Sequence, residues 1–301
     1  MNLIDLHTMF PTEEKCRELL VRLRWPEGVR CPRCKADAVK LETEKQLFYC
    51  KDCDYQFSVL SGTIFNDTHL PLFKWLAATM LLCEAKKGMS ACQVQRTLGM
   101  GYKTAWYLCH RIRAAMAATE KPMLDGTVEM DETYIGGVNR GKGKVARWDN
   151  KQVVVGIRKR SGDLRFFHAS DAKSGTLAKY IRENVSEDVD VIITDDFSSH
   201  PVAMKKASVK APHKTINHSS KVYVMGDIHT NTVESAFSLL KRGIMGTWHK
   251  VSAKHLPAYL QEMEFRFNRR KRSDLFIDTL RHMVTADPLT FAQLTAEKRS
   301  A

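Results

Sequence analysis

Three acidic residues in the second half of the chain have the types and positions of ligands for divalent cations. Asp131 ends an apolar run in VEMDETYI, Asp195 ends another in VDVIITD, and Glu234 falls in the first turns of a predicted helix, TVESAFSLLKR. Magnesium prefers oxygen ligands, and two such ions about 3.5–4 Å apart stabilise the attacking and leaving oxygens of an in-line phosphoryl displacement. Because aspartate at strand ends is also common in ordinary turns, spacing alone leaves a purely structural role open.

A lysine accompanies the third carboxylate. Lys241 follows Glu234 by seven residues, which is two helical turns, so both side chains lie on one face of the predicted helix. A lysine there could hold a phosphate beside the metal site. The alternative is a solvated helix face.

Two cysteine pairs in the first sixty residues have the spacing of a zinc site. CPRC and CKDC are separated by fifteen residues and supply Cys31, Cys34, Cys50 and Cys53. Four thiolates form a closed tetrahedral shell with no place for water, so we expect one structural zinc per chain. Buried or redox-active thiols are the alternative. The other four cysteines lie in apolar helical contexts and are expected to be small core residues: Cys16, Cys83, Cys92 and Cys109.

The charge of the chain favours a polyanionic partner. Its 301 residues carry a formal net charge of +13, with basic stretches at 138–160 and 241–272, the second including Arg269 and Arg270. Such an excess attracts nucleic acid, although it can also serve solubility alone. The N-terminus lacks the basic segment of a secretory signal, and no apolar stretch is long enough to span a bilayer, so we expect a soluble cytoplasmic, nucleoid-associated protein.

The segment MSACQVQRTLGMGYKTAWYLCHRIRAAM predicts two short helices joined by a turn. Ser90 can cap the first, Gly99–Gly101 turn the chain, and the second begins near Tyr102. This is the spacing of a helix-turn-helix, with phosphate contacts expected from Lys103, Arg111 and Arg113. A plain helical linker remains the alternative.

Periodicity divides the chain into three segments. Residues 1–66 form an N-terminal helix and the cysteine module, and residues 67–120 read as helical. Residues 121–301 contain β-branched strand runs, an intervening helix and C-terminal helices. The third segment therefore predicts an α/β fold, a mixed sheet with flanking helices. Two carboxylates at strand ends and a third on a later helix are the arrangement by which a ribonuclease-H-like fold gathers two divalent ions.

At these residues the sequence resembles the zinc-ribbon DDE transposases of bacterial insertion sequences, specifically the IS1595 group. The resemblance covers most of the chain and is carried by CPRC…CKDC with FSVLSGTIF, then by MDETYIGG, TDDFSSH, HTNTVESAFSLLKRGIMGTWHKVSAKHL and EFRFNRR. It implies that Asp131 and Asp195 are the first two ligands of two Mg²⁺ or Mn²⁺ ions and that Glu234 is the third. It implies for Lys241 an accessory contact to phosphate or a base pair.

Some relatives resembling this chain have asparagine as the third ligand, so Asn231 is the alternative to Glu234; it could equally be the N-cap of that helix. The family often has tyrosine where this chain has His200. The implied activity is hydrolysis at the transposon ends, then attack of the freed 3′-hydroxyl on target DNA, by a homo-oligomer on double-stranded DNA. Two other functions stay open: a non-catalytic zinc-ribbon regulator descended from a transposase, and a metal-dependent nuclease of the same fold.

Overall fold

The predicted strands and helices are present in the computed structural model, which describes residues 2–42, 46–117, 121–137, 151–216 and 227–296. Its helices in chain order are α1 (Leu3–Met9), α2 (Glu13–Arg24), α3 (Leu72–Glu84), α4 (Ala91–Leu98), α5 (Tyr102–Ala117), α6 (Ser174–Asn184), α7 (Ser199–Ala207), α8 (Asn231–Gly243), α9 (Leu256–Asn268), α10 (Leu275–Thr285) and α11 (Phe291–Thr295). Its strands are β1 (Val39–Glu42), β2 (Leu47–Cys50), β3 (Gln56–Phe57), β4 (Leu124–Ile135), β5 (Gln152–Lys159), β6 (Leu164–Ala169), β7 (Val185–Asp195) and β8 (His213–Ile216). None of the described helices is both long and apolar enough to cross a bilayer.

The chain divides into two units, residues 1–119 with 272–301, and residues 120–271. The sequence-based division instead carried the third segment through residue 301. In the structure α10 packs within the first unit, where the Thr79 hydroxyl lies 3.3 Å from Met283 Sδ and the Cys83 sulfur lies 3.2 Å from the Thr279 hydroxyl. Periodicity cannot reveal such a partnership, because it says which face of a helix is apolar and not what covers it.

The first unit begins with the two helices α1 and α2, which are followed by a small three-stranded antiparallel sheet in the order β1-β2-β3. The predicted amphipathic helix is α2, and it buries Cys16, Leu19 and Leu20. The core of the sheet is aromatic: the rings of Phe48 and Phe57 stack with centroids 5.5 Å apart. With so few large apolar side chains, this module depends on additional stabilisation of the kind that a metal supplies.

The helix pair α4 and α5 follows the predicted boundaries. The Ser90 hydroxyl accepts a hydrogen bond from the N–H of Gln93 at the start of α4, and Gly99 ends that helix in the left-handed region at φ +57°. At the start of α5, Tyr102 and Lys103 are exposed. Cys92 is exposed as well, which corrects the expectation that it is a core residue.

Two basic residues of α5 are buried, which corrects the expectation that they contact phosphate. The side chain of Arg111 is 4% exposed and lies over the Trp75 ring, where it donates a 2.6 Å hydrogen bond to the Asn66 carbonyl. Arg113 is 1% exposed. Charge alone did not reveal that this face of α5 is turned inward.

The second unit contains a five-stranded mixed sheet in the order β6-β5-β4-β7-β8. β4 pairs antiparallel with β5 and parallel with β7, and β7 pairs parallel with β8. Renumbered within this unit the order is 3-2-1-4-5, with the first three strands antiparallel. This is the ribonuclease-H-like arrangement that the carboxylate positions predict.

Helices cover both faces of this sheet, and each face has its own apolar core. One core joins alternate residues of β4, β5 and β7 to α6 and α7, including Val128, Ile192 and Leu177. The other joins β5 and β6 to α8 and α9. There Gly156 on β5 lets α8 approach closely, since a Cβ at this position would lie 2.8 Å from the Phe237 ring and 2.9 Å from Val233.

Candidate functional site

The four predicted zinc ligands come together in the first unit. The sulfurs of Cys31, Cys34, Cys50 and Cys53 all lie within 4.8 Å of one another, with Sγ–Sγ distances of 3.6 Å for Cys31–Cys53 and 3.5 Å for Cys34–Cys50. A tetrahedral ion with Zn–S bonds of about 2.3 Å places its sulfurs ~3.8 Å apart. The cluster therefore fits a closed zinc shell.

Both cysteine pairs lie on turns of the same geometry. The N–H of Lys35 donates to the Cys31 carbonyl, and the N–H of Asp54 donates to the Cys50 carbonyl. Lys35 and Asp54 each adopt a left-handed conformation, with φ of 65° and 57°. These tight turns explain why each pair is spaced as CxxC, because each turn brings two sulfurs to one side.

The electrostatics of the first cysteine favour its metal-binding form. Burial raises the pKa of the Cys31 thiol. Hydrogen bonds from the N–H groups of Cys34 and Arg33 and from neighbouring sulfurs outweigh this effect and lower the pKa to about 6. The thiolate is the form that ligates metal.

The first two predicted carboxylates lie on adjacent strands of the second unit. The parallel pairing of β4 with β7 ends at Glu129 and Ile193, and Asp131 and Asp195 each follow that pair by two residues. They are near enough for the charge of Asp195 to raise the pKa of Asp131. Parallel neighbours with equal displacement project their side chains to the same face of a sheet. Asp196 is exposed at the turn that follows.

The third carboxylate is in the first turn of α8. The Thr230 hydroxyl donates a 2.7 Å hydrogen bond to Glu234 Oε1, and Thr230 is fully buried. The N-cap residue of α8 is Thr230, so the expectation that Asn231 serves as the cap is wrong. Asn231 is the first residue of the helix and is exposed.

The pKa of Asp131 indicates that the three carboxylates influence one another. Burial raises this pKa; the N–H of Glu132 partly opposes that effect with a 2.8 Å hydrogen bond, and the charges of Glu132, Asp195 and Glu234 raise the pKa further, to about 7. A group of carboxylates that is costly to ionise together is stabilised by a bound cation. The donor set of oxygens also fits Mg²⁺ or Mn²⁺.

A buried histidine next to Asp195 was not assigned a role from the sequence. His200 Nε2 lies 2.8 Å from Asp195 Oδ1 and 3.3 Å from Glu132 Oε2, and the side chain is fully buried. Burial lowers the pKa of His200, but hydrogen bonds and charges from Asp195 and Glu132 raise it more strongly, to about 9. His200 therefore lies between two carboxylates from different strands, Asp195 of β7 and Glu132 of β4. His200 follows Asp195 by five residues, a spacing that does not by itself predict a contact between the two side chains.

The remaining predicted contact residues are at the surface of their units. Lys241 is exposed on α8, and Lys103 is exposed on α5. At the end of α9, Arg270 is exposed and lies 4.0 Å from the Phe267 ring centroid, while Arg269 is half-buried with its guanidinium 3.9 Å from the Phe265 ring centroid. Residues 138–150 of the first basic stretch lie outside the described residues.

The strand order, with aspartates on its two central strands, places the second unit in the ribonuclease-H-like class. Comparison with known families gives two matches in the same chain order: residues 11–56 match the transposase zinc-ribbon domain and residues 123–268 match the ISXO2-like transposase domain. The chain belongs to the zinc-ribbon DDE transposases of the IS1595 group. The four-cysteine cluster and the zinc-ribbon match together support a structural zinc.

A relative carried by a mobile element supports the same conclusion. The chain is 29% identical over 277 residues to the "Uncharacterized protein in transposable element ISH50" of Halobacterium salinarum, which covers 85% of this chain and 91% of that protein.

Proposed function

We propose that this protein binds the terminal inverted repeats of its insertion sequence, cleaves there and joins the freed ends to target DNA. Asp131, Asp195 and Glu234 would hold two Mg²⁺ or Mn²⁺ ions, with Glu234 preferred to Asn231 as third ligand. The observation that carries this proposal is the placement of Asp131 and Asp195 on the adjacent strands β4 and β7, with Glu234 of α8 near enough for its charge to raise the pKa of Asp131. The membership of the transposase family supplies the DNA substrate.

The proposed reaction consists of two phosphoryl transfers. In the first, water attacks the phosphate at the element's end, the bond from phosphorus to the 3′-oxygen breaks, and a 3′-hydroxyl is released. In the second, that hydroxyl attacks a target phosphodiester, so one such bond forms as another breaks. Bound divalent ions would supply Lewis-acid stabilisation of the attacking and leaving oxygens. Lys241 would hold a non-reacting phosphate on the exposed face of α8, and no covalent protein–DNA bond is required.

Several surfaces would bind DNA. The helix pair α4–α5 would present Tyr102 and Lys103 at the start of its second helix, where a helix-turn-helix contacts base edges. Arg269 and Arg270 would contact phosphates near the catalytic unit. The functional division into residues 1–66, 67–120 and 121–301 is part of this proposal. Pairing of two DNA ends would require a homo-oligomer, acting in the cytoplasm on the nucleoid.

The test is an assay with purified protein, Mg²⁺ and duplexes that carry the terminal repeats flanking the gene. The wild type is expected to cleave these duplexes and to join them to a target plasmid, whereas Asp131→Asn, Asp195→Asn and Glu234→Gln lose both activities. Specific binding by the wild type without cleavage would instead support a non-catalytic regulator. Cleavage without joined products, or cleavage of unrelated RNA or junctions, would support a nuclease. Any of these results would refute the proposal.

A further inference from the structure

Another carboxylate, Glu129, lies two residues before Asp131 and is fully buried. Its two oxygens contact different elements of the second unit. Oε2 accepts hydrogen bonds from the Thr232 N–H at 2.9 Å, the Thr232 hydroxyl at 2.7 Å and the Val233 N–H at 3.1 Å. Oε1 accepts a 2.7 Å hydrogen bond from Arg160 Nε and lies 3.4 Å from His229 Nδ1.

These contacts satisfy groups that helix geometry leaves without partners. The N–H groups in the first turn of an α-helix have no carbonyl within the helix, and a negative charge there is favoured by the helix dipole. Thr232 and Val233 are the second and third residues of α8. Glu129 therefore acts as a cap supplied from the sheet, at a helix whose N-cap residue makes no side-chain cap of its own.

The arginine partner attaches the same carboxylate to a third element. Arg160 directly follows β5, and its backbone N–H donates to the Thr127 carbonyl at 2.9 Å. Its guanidinium also donates to the His229 carbonyl at 3.0 Å, in the segment that leads into α8. A buried carboxylate with a guanidinium partner is held in one geometry, since moving either group leaves a buried charge unpaired.

The position of Glu129 connects two proposed metal ligands. It is two residues from Asp131 on β4, on the same side of the strand, and it binds Thr232, which is two residues from Glu234 on α8. We propose that Glu129 is a positioning residue that fixes the separation between Asp131 and Glu234, and thereby the affinity of the site for its divalent ions. This inference rests on the proposed function, because it takes those two carboxylates as ligands.

The experiment uses the full-length protein and measures Mn²⁺ binding by electron paramagnetic resonance, beside strand transfer as a function of Mg²⁺ concentration. Glu129→Gln keeps the length of the side chain and removes its charge, while Glu129→Asp keeps the charge and shortens the reach. Both are expected to weaken Mn²⁺ binding at least tenfold and to raise the Mg²⁺ concentration for half-maximal strand transfer by a similar factor.

Glu264→Gln is the matched control, because Glu264 is also a buried, ion-paired glutamate of the second unit. It is 3% exposed, pairs with Lys121 and accepts a 3.0 Å hydrogen bond from the Phe166 N–H. Its substitution is expected to lower stability while leaving Mn²⁺ affinity within about twofold of the wild type. If the role of Glu129 were purely structural, Glu129→Gln and Glu129→Asp would behave like Glu264→Gln, with lower stability and nearly unchanged Mn²⁺ affinity.

If the substitutions at Glu129 prevent folding, a milder pair of variants at Thr232 tests whether its contact with Glu129 affects Mn²⁺ binding. Thr232→Val removes only the hydroxyl donor, and Thr232→Ser retains it. We expect Thr232→Val to weaken Mn²⁺ binding three- to tenfold and Thr232→Ser to bind as the wild type does. Wild-type Mn²⁺ affinity in folded Glu129 variants, or in Thr232→Val, would overturn the inference. A wild type that binds Mn²⁺ but joins no DNA would refute the proposed function and leave the positioning role to be judged on the binding data.

Discussion

The crowding of carboxylates around Asp131 leads to a prediction about stability in the absence of divalent cations. The pKa of this group is raised from 3.8 to about 7 by burial and by the charges of Glu132, Asp195 and Glu234. A carboxyl with a raised pKa in the folded state destabilises that state when it ionises. The resulting loss in free energy of unfolding is absent below pH 3.8, grows between pH 4 and 7, and is complete above pH 7.

The size of the effect follows from the shift in pKa. A difference of ~3 units at about 1.4 kcal/mol per unit gives an upper limit of about 4 kcal/mol. Asp131→Asn removes the charge and keeps an oxygen that can accept the Glu132 N–H. We therefore expect Asp131→Asn to stabilise the second unit by about 2–4 kcal/mol at pH 8 without Mg²⁺, and by less than about 1 kcal/mol at pH 4.5.

The assay is urea unfolding in Mg²⁺-free buffer, followed by hydrogen exchange in peptides from β5 and β7 so that the second unit is observed by itself. Strong chelators are omitted because they would also remove the zinc. Asp190→Asn, an exposed carboxylate of β7, is the control and should change stability by less than ~0.5 kcal/mol. Saturating Mg²⁺ should stabilise the wild type and not Asp131→Asn. Destabilisation by Asp131→Asn at pH 8, or a difference that does not vary with pH, would refute the reasoning.

Three further predictions concern the zinc, the packing of α8 and the recognition helix. Metal analysis should find about one zinc per chain in the wild type and none in Cys34→Ser. The variant should also expose residues 29–57 to protease, because zinc binding contributes roughly 10–16 kcal/mol to folding such modules. Protection from protease equal to that of the wild type would count against a structural zinc. Gly156→Ala should destabilise the second unit by about 1–3 kcal/mol in urea unfolding and reduce strand transfer, since its Cβ would collide with Phe237 and Val233 and displace α8; unchanged stability would contradict this packing. Lys103→Ala should weaken binding to DNA of any sequence and reduce the slope of log affinity against log salt by about 1; an unchanged slope would exclude a phosphate contact.

Local chemistry made part of this structure predictable from the sequence. The cysteine turns follow from CxxC spacing, and the boundaries of α4 and α5 follow from the Ser90 cap and the Gly99 terminus. The strands that carry Asp131 and Asp195 follow from β-branched runs. Asp195 ends β7 as predicted, whereas the expectation that Asp131 ends its strand is wrong, because β4 continues to Ile135 in antiparallel pairing with β5. Each of these signals is contained within a few consecutive residues.

Features that depend on tertiary contacts were not predictable in the same way. The burial of Arg111 depends on Trp75, which is 36 residues away in the sequence, and a basic residue on a helix gives no sign of being covered. The contacts of His200, which is on α7, include Glu132 of β4, far away in the sequence. The contacts of Glu129 were not predicted from the sequence, because its partners Thr232 and Val233 belong to a helix that begins about a hundred residues later.

The central claim is that Asp131, Asp195 and Glu234 together hold divalent ions for strand transfer on DNA. Anomalous diffraction from crystals of the wild type soaked in Mn²⁺ would locate those ions directly. We predict two Mn²⁺ peaks, roughly 3.5–4 Å apart, with Asp131 and Asp195 as ligands of the first and Glu234 completing the site. Peaks that lack Asp131 and Asp195 as ligands, or no peak at these residues at saturating Mn²⁺, would contradict the account, and a peak bound by Asn231 in place of Glu234 would refute the choice of third ligand.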